Sequence, residues 1–478
     1  MFSSNLFKRC PRTGKIRGIN KSAWPKWAWL LAGSAACLWY LVRVLPKPSR
    51  AAYPCLRAAA PIRIGFLTYC AALAGYAFSS AKAKSLSRNN RPFRASLFFV
   101  ASLLSLCLFI ASDSRPALAA IPAGAGKGIF SGRVAWVYNP NAAKWTGTGI
   151  YCAPAVNPQA EYNKSFTAGL AALSGGTNDA DSWDKIFRWF NDRHDRPGTA
   201  YQAGDMIAIK INQNNSPAPA PDHGNAMNAN PQTCVAVVTS LVNAGVPQAD
   251  IWIGDPSRAV TDNIFNAIHQ PFPEVKVVDF FGNNGRVTTT NVNGVFPNSD
   301  VKNAEAACFY HARYLVCQPL LKGHVGQIIT FGSKNFYGIN GILPNWKENK
   351  GHPGDSALTA YMTNANFGGK VILWAMDAMY PSPELDGAPF NGVALTPFNG
   401  RPMSSFIMSL DGCAEECVSY DFWSAVSGKS GGINYANSAA NAGGGVAGHW
   451  NNSTEKKYAK NLDPNAPGIE LVPVTPQP

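Results

Sequence analysis

Several cationic and polar residues stand where β-rich runs end. Lys210 and Asn212 close the run DMIAIKIN (205–212), and Asp255, Ser257 and Arg258 follow DIWIG (250–254). Lys322 and His324 follow the run around Tyr314, while Ser333, Lys334 and Asn335 follow QIITF (327–331). Asp377 and Asp411 end two later runs. Ligands of open α/β sheets bind outside the carboxyl ends of the strands, so these positions are the first candidates for chemistry. Lys210, Lys322, Lys334 and Arg258 gathered there would form a concave cationic spot suited to a phosphate or carboxylate. Asp255, Ser257, Asn212 and Asn335 would bind or orient the ligand, Lys322 and Lys334 would polarise it, and His324 would serve as acid or base. A different use of the same region is a divalent metal held by His324, His352 and Asp377, which the fold would have to assemble, because the spacing is not that of a helical His pair. The plain alternatives are solvated lysines, asparagines that cap turns and a loop histidine.

The elements that must position these residues read as an α/β domain with a mainly parallel central sheet flanked by helices. After the strand 205–212, Asn230-Pro231 supplies a cap and a proline suited to a first helical position. Val235, Val238, Leu241 and Val242 form one helical face, and Gly245 ends the helix. The strand 250–254, a helix at 260–269 and VKVVDFF (275–281) complete a β-α-β-α-β unit, whose crossovers are expected to be right-handed. Trp183, Ile186, Phe187 and Phe190 mark an amphipathic helix. Further strands are expected at 313–320, 327–331, 371–375 and 405–409, with a last helix over 413–426. The Gly/Asn/Pro-rich tail, 428–478, has too little apolar content for a core of its own and reads as a loop or a strap.

Charge divides the chain. Residues 1–119 hold 18 Lys plus Arg against the single acid Asp113, a net of +17, and the remainder holds 24 against 27, a net of −3. The exported part therefore lacks the cationic excess that a nucleic-acid surface needs. The basic region, 1–120, contains apolar stretches at 24–45, 61–80 and 95–111. The first is edged by basic and aromatic residues, as membrane helices are. The third is preceded by Lys82, Lys84, Arg88, Arg91 and Arg94 and followed by Ala117-Leu118-Ala119, the order of a secretory signal. The expectation is a domain over 121–427 delivered to the periplasm or cell surface, with the N-terminal third cleaved near residue 119, retained as an anchor through its helices, or preceding a true start near residue 86. The membrane is then one partner and a small anion the other, with the oligomeric state left open.

Six cysteines follow Ala119: Cys152, Cys234, Cys308, Cys317, Cys413 and Cys417. An even count in an exported domain permits disulfides, and Cys308 and Cys317 flank a segment short enough to bridge. No CxxC occurs, which disfavours iron-sulfur clusters and zinc ribbons. GKSGG (428–432) and GGGVAG (443–448) match hydrolase-elbow and dinucleotide patterns only formally, in a biased segment with no strand before them. A P-loop pattern is absent.

The order IKIN (209–212), IGDPSR (253–258), LLKGH (320–324), SKNFYG (333–338), His352, AMDAM (375–379) and SLDGCAEECVSYDF (409–422) resembles the bacterial and archaeal domain-of-unknown-function family 362 over roughly residues 130–427. The resemblance implies an exported α/β protein and a shared strand-end site, but no reaction. Some members carry a ferredoxin module that this chain lacks, so cluster-mediated electron transfer is not implied. Where the family often reads DPVALDSVG, this chain has DGCAEECVS, which opens a structural disulfide or a thiol site. An enzyme acting on a small anionic substrate, a non-catalytic envelope binding protein and a structural surface protein all fit these residues.

Overall fold

A computed structural model describes residues 7–9, 16–19, 81–82, 96, 122–293, 295, 304–324, 328–339, 355–383, 388–431 and 433–476. The chain divides into two units, residues 1–118 and 119–478. In the first, Phe7–Arg9 pairs antiparallel with Ile16–Ile19. The three apolar stretches, Ser96 aside, and the signal-like site at Ala119 lie outside the described residues. Among those described, no helix is long and apolar enough to cross a membrane.

The second unit is built on a ten-stranded sheet: β1 (Arg133–Tyr138), β2 (Ile207–Lys210), β3 (Ile251–Asp255), β4 (Lys276–Asp279), β5 (Tyr314–Cys317), β6 (Leu320–His324), β7 (Ile328–Ile329), β8 (Val371–Ser382), β9 (Ser405–Ser409) and β10 (Glu470–Val474). The order is β10-β1-β9-β8-β5-β2-β3-β4, with β6 paired to β8 beyond the end of β5 and β7 paired to β6. β9 runs antiparallel to both neighbours, β1 and β8, while the path β8-β5-β2-β3-β4 is parallel throughout. The mainly parallel α/β reading therefore holds.

Strands buried on both faces are mostly apolar, as in IAIK and SFIMS, whose polar members are buried too. One face is covered by α1 (Gln159–Ser174), α2 (Asp179–Asp192), α3 (Pro231–Asn243) and α4 (Asp262–His269). The other is covered by α5 (Gly332–Phe336), α6 (Asp355–Thr363), α7 (Gly412–Ser427) and α8 (Asn434–Asn441). Local signals set the helix starts. Asn230 accepts from the Gln232 amide with Pro231 at the first helical position, and Asp411 accepts from the Ala414 amide.

Three differences from the sequence reading have plain causes. The run 313–320 is split, because Pro319 has no N–H to continue the ladder; β5 stops at Cys317 and β6 begins at Leu320. The Gly/Asn-rich tail is more than a loop. It buries Tyr435, Ala436, Ala439, Val446, Tyr458, Ile469 and Leu471 against α7 and β1, and it supplies the edge strand β10, where Pro473 is tolerated. The expected disulfides are not formed: all six cysteines from Cys152 onward are buried free thiols. Cys317 faces α5, within 3.4 Å of the Gly332 carbonyl oxygen, and Cys413 and Cys417 lie one turn apart on α7, both in the core.

Candidate functional site

Alternation along β2 decides where Lys210 points. Ile207 and Ile209 pack with α1–α4, so Ala208 and Lys210 turn to the α5 face. Lys210 is almost wholly withdrawn from water, and its Nζ lies 2.9 Å from Asp255 Oδ2 at the end of the neighbouring β3. It also donates to the Ile211 carbonyl oxygen and, at 3.3 Å, to Asn335 Oδ1. Asn335 closes the ring by donating from Nδ2 to the Lys210 carbonyl oxygen at 2.9 Å. Asp255 further accepts from the Gln213 amide (3.0 Å) and the Ser257 hydroxyl (2.8 Å). Burial pushes the Lys210 ammonium below the usual lysine range, against the opposing pull of Asp255.

Around this buried floor lie residues that solvent still reaches: Ser257, Arg258, His324, Lys334, Tyr337 and Gly338. A Cβ on Gly338 would come to 3.1 Å from Lys210 Nζ and 3.3 Å from Ser257 Oγ, so the glycine lets the 3-10 turn after α5 close over the pair. Lys334 Nζ is 3.5 Å from His324 Nε2 and 5.1 Å from the Tyr337 ring centroid. Burial, and then the positive charge of Arg258, bring Lys334 down to about 8. Arg258 donates to the Asn214 and Ser257 carbonyl oxygens through Nε and Nη1. Among the described residues neither Lys334 nor Arg258 has a carboxylate partner.

A sequence profile described as a domain of unknown function (DUF362) matches residues 207–421, a segment that begins with β2 and carries every group of this floor and rim. Residues 207–421 belong to that family. Comparison with curated proteins gave no match.

Not every residue of the family segment expected at the site reaches it. With Leu321 in the core beside α7, Lys322 turns the other way. Its Nζ donates to the Met227 carbonyl oxygen at 2.6 Å in the loop between β2 and α3. Asp377 faces α3, where it accepts from the Thr233 hydroxyl at 2.8 Å and the Met379 amide, and burial raises it to about 6. It thus lies across the sheet from Lys210 and is not joined to His324, which meets Lys334 on α5. His352 is outside the described residues. Among those described, no group of three or more His, Cys, Asp or Glu could hold a metal. Asn212 behaves as a turn cap, its Oδ1 accepting from the Asn214 amide.

Other participants went unread. Gln213 and Gln318 are buried, with their backbone amides on Asp255 Oδ2 and the Lys210 carbonyl oxygen, and neither side-chain carboxamide has a hydrogen-bond partner among the described residues. Glu416 accepts from the Ser333 amide at 2.6 Å and thereby fixes the start of α5, which carries Lys334 and Asn335. The signal for these was adjacency: Gln213 follows IKIN, and Glu416 lies inside the last motif. A separate cavity of about 470 Å³ opens near the amino-terminal end of β8, lined by Lys127, Trp189, Phe190, Arg193, His194 and Trp374 among others.

Proposed function

We propose that the rim over the Lys210–Asp255 pair is a catalytic site for a small anionic substrate, a phosphate or carboxylate. The observation that carries this reading is Lys334 Nζ standing 3.5 Å from His324 Nε2 and over the Tyr337 ring at a partly exposed rim, with Arg258 near enough to act on its charge. Lys334 and Arg258 are two cations in electrostatic reach of each other, partly open to solvent and without a carboxylate partner among the described residues, in a segment otherwise slightly acidic. Like charges held together in a partly desolvated place are stabilised when an anion binds between them. His324, 3.5 Å from Lys334, adds a group able to move a proton, which favours an enzyme over a passive binding protein. Lys210 is a positioning residue, since its charge is neutralised by Asp255. We also retain export as part of this reading, with the basic N-terminal region delivering the domain to or across a membrane; a mature chain beginning at Met1 would rule out cleavage near Ala119.

The test is thermal-shift titration of the full chain with inorganic phosphate, pyruvate and chloride. Stabilisation by phosphate or pyruvate that is lost in Lys334→Ala and Arg258→Ala, but kept in the Lys322→Ala variant, supports the site. Equal shifts in all variants overturn it.

A further inference from the structure

Three lysines stand near the strand ends, and their surroundings differ in a way that bears on chemistry. Lys210 is held by Asp255 and by the Ile211 carbonyl oxygen, and Lys322 by the Met227 carbonyl oxygen. Lys334 is the one of the three placed at the open rim beside a second cation, above an aromatic ring and within 3.5 Å of an imidazole nitrogen. An amine with no carboxylate to hold its proton, next to a like charge, is the arrangement that makes a lysine a nucleophile toward carbonyl carbon. Arg258 adds the means to orient such a compound. Its Nε and Nη1 are taken by protein carbonyls, and Nη2, which makes no hydrogen bond among the described residues, would serve a ligand carboxylate.

We propose, on the footing of the anion-site reading, that Lys334 forms an imine with a small 2-oxo acid whose carboxylate rests on Arg258. The Nζ lone pair attacks the keto carbon, and the carbonyl π electrons pass to the oxygen. His324 Nε2 takes the proton that the nitrogen sheds and returns it to that oxygen. The second Nζ proton follows by the same imidazole to the carbinolamine hydroxyl, which leaves as water as the nitrogen lone pair closes a neutral C=N bond to Nζ. One water is released, and nothing is oxidised or reduced. Among the described residues, Arg258 from the loop after β3, His324 from β6 and Tyr337 from the turn after α5 face Lys334, and a negative ligand would supply a counter-charge for Lys334 and Arg258.

The experiment is reductive trapping of the full chain with pyruvate and sodium cyanoborohydride, mapped by peptide mass spectrometry and run beside the pyruvate thermal shift. The expected result is one reduced pyruvate, placed on Lys334 with at least about tenfold enrichment over other lysines. Lys334→Arg keeps the thermal shift and loses the adduct. A pyruvate shift without an adduct, or an adduct spread over many lysines and unchanged in Lys334→Arg, overturns the imine and leaves the anion site standing. Neither a shift nor an adduct removes both.

Discussion

Lys210 and Asp255 form a 2.9 Å ion pair whose side chains are 1% and 5% exposed, bridging the ends of two adjacent parallel strands. A buried pair is costly to break from one side, because the remaining charge is left in a poor solvent. Lys210→Met or Asp255→Leu alone is expected to destabilise the chain by about 3–5 kcal/mol, and the double variant by much less. Urea unfolding of the three variants measures this, and additive losses would contradict the pairing.

Gly254 fixes the approach of β3 to β4. A Cβ there would lie 1.8 Å from the Val278 carbonyl oxygen, a backbone atom that the sheet holds in place. Gly254→Ala is expected to cost about 3 kcal/mol and to shift Asp255 away from Lys210. The midpoint of denaturant unfolding is the readout, and a wild-type midpoint would show that the strands can part.

Removal of a neighbouring positive charge should raise Lys334 from about 8 toward the ordinary lysine value, with burial keeping it from returning completely. Acylation of Lys334 by acetic anhydride, followed against pH, should therefore have its midpoint near 8 in the wild type and higher in Arg258→Ala. An unchanged midpoint would mean that Arg258 does not act on Lys334.

Asp377 gives a pH dependence of stability. Burial raises it from 3.8 to about 6, so between those values the folded chain binds more of the proton than the unfolded chain does. The folded state is favoured at low pH, and this contribution is lost as pH rises through about 6, on the order of 3 kcal/mol in all. Asp377→Asn should flatten that part of the profile while keeping an acceptor for Thr233. A profile that still falls between pH 4 and 6 by the wild-type amount would assign the effect elsewhere.

Free thiols at Cys308 and Cys317 make a chemical prediction. Iodoacetamide should leave both unlabelled in the folded chain, where they are buried, and label both in denaturant without prior reduction. Labelling that requires reductant would restore the bridge.

Much of the fold can be read from the chain because its signals are local. Asn230-Pro231 starts α3, the apolar face of Trp183, Ile186, Phe187 and Phe190 sets α2, and SFIMS coincides with β9. The edge strand β10 escapes such a reading, since ELVPV gains its place by pairing with β1, 337 residues earlier, and its proline and flanking loops argue locally against a strand. The packing of the tail escapes for the same reason: Tyr435, Tyr458 and Leu471 are few and far apart, and they form a core only together with α7 and β1.

By itself the sequence determined that Lys210, Asp255, Arg258, His324 and Lys334 stand near strand ends, because a strand's carboxyl end is a matter of local pattern. Which of them meet was decided by tertiary structure. Side-chain direction alternates with every residue along a strand, and crossovers select which strand ends become neighbours. The same two rules sent Lys210 to Asp255 and Asn335 on the α5 face, and Asp377 to Thr233 on the other.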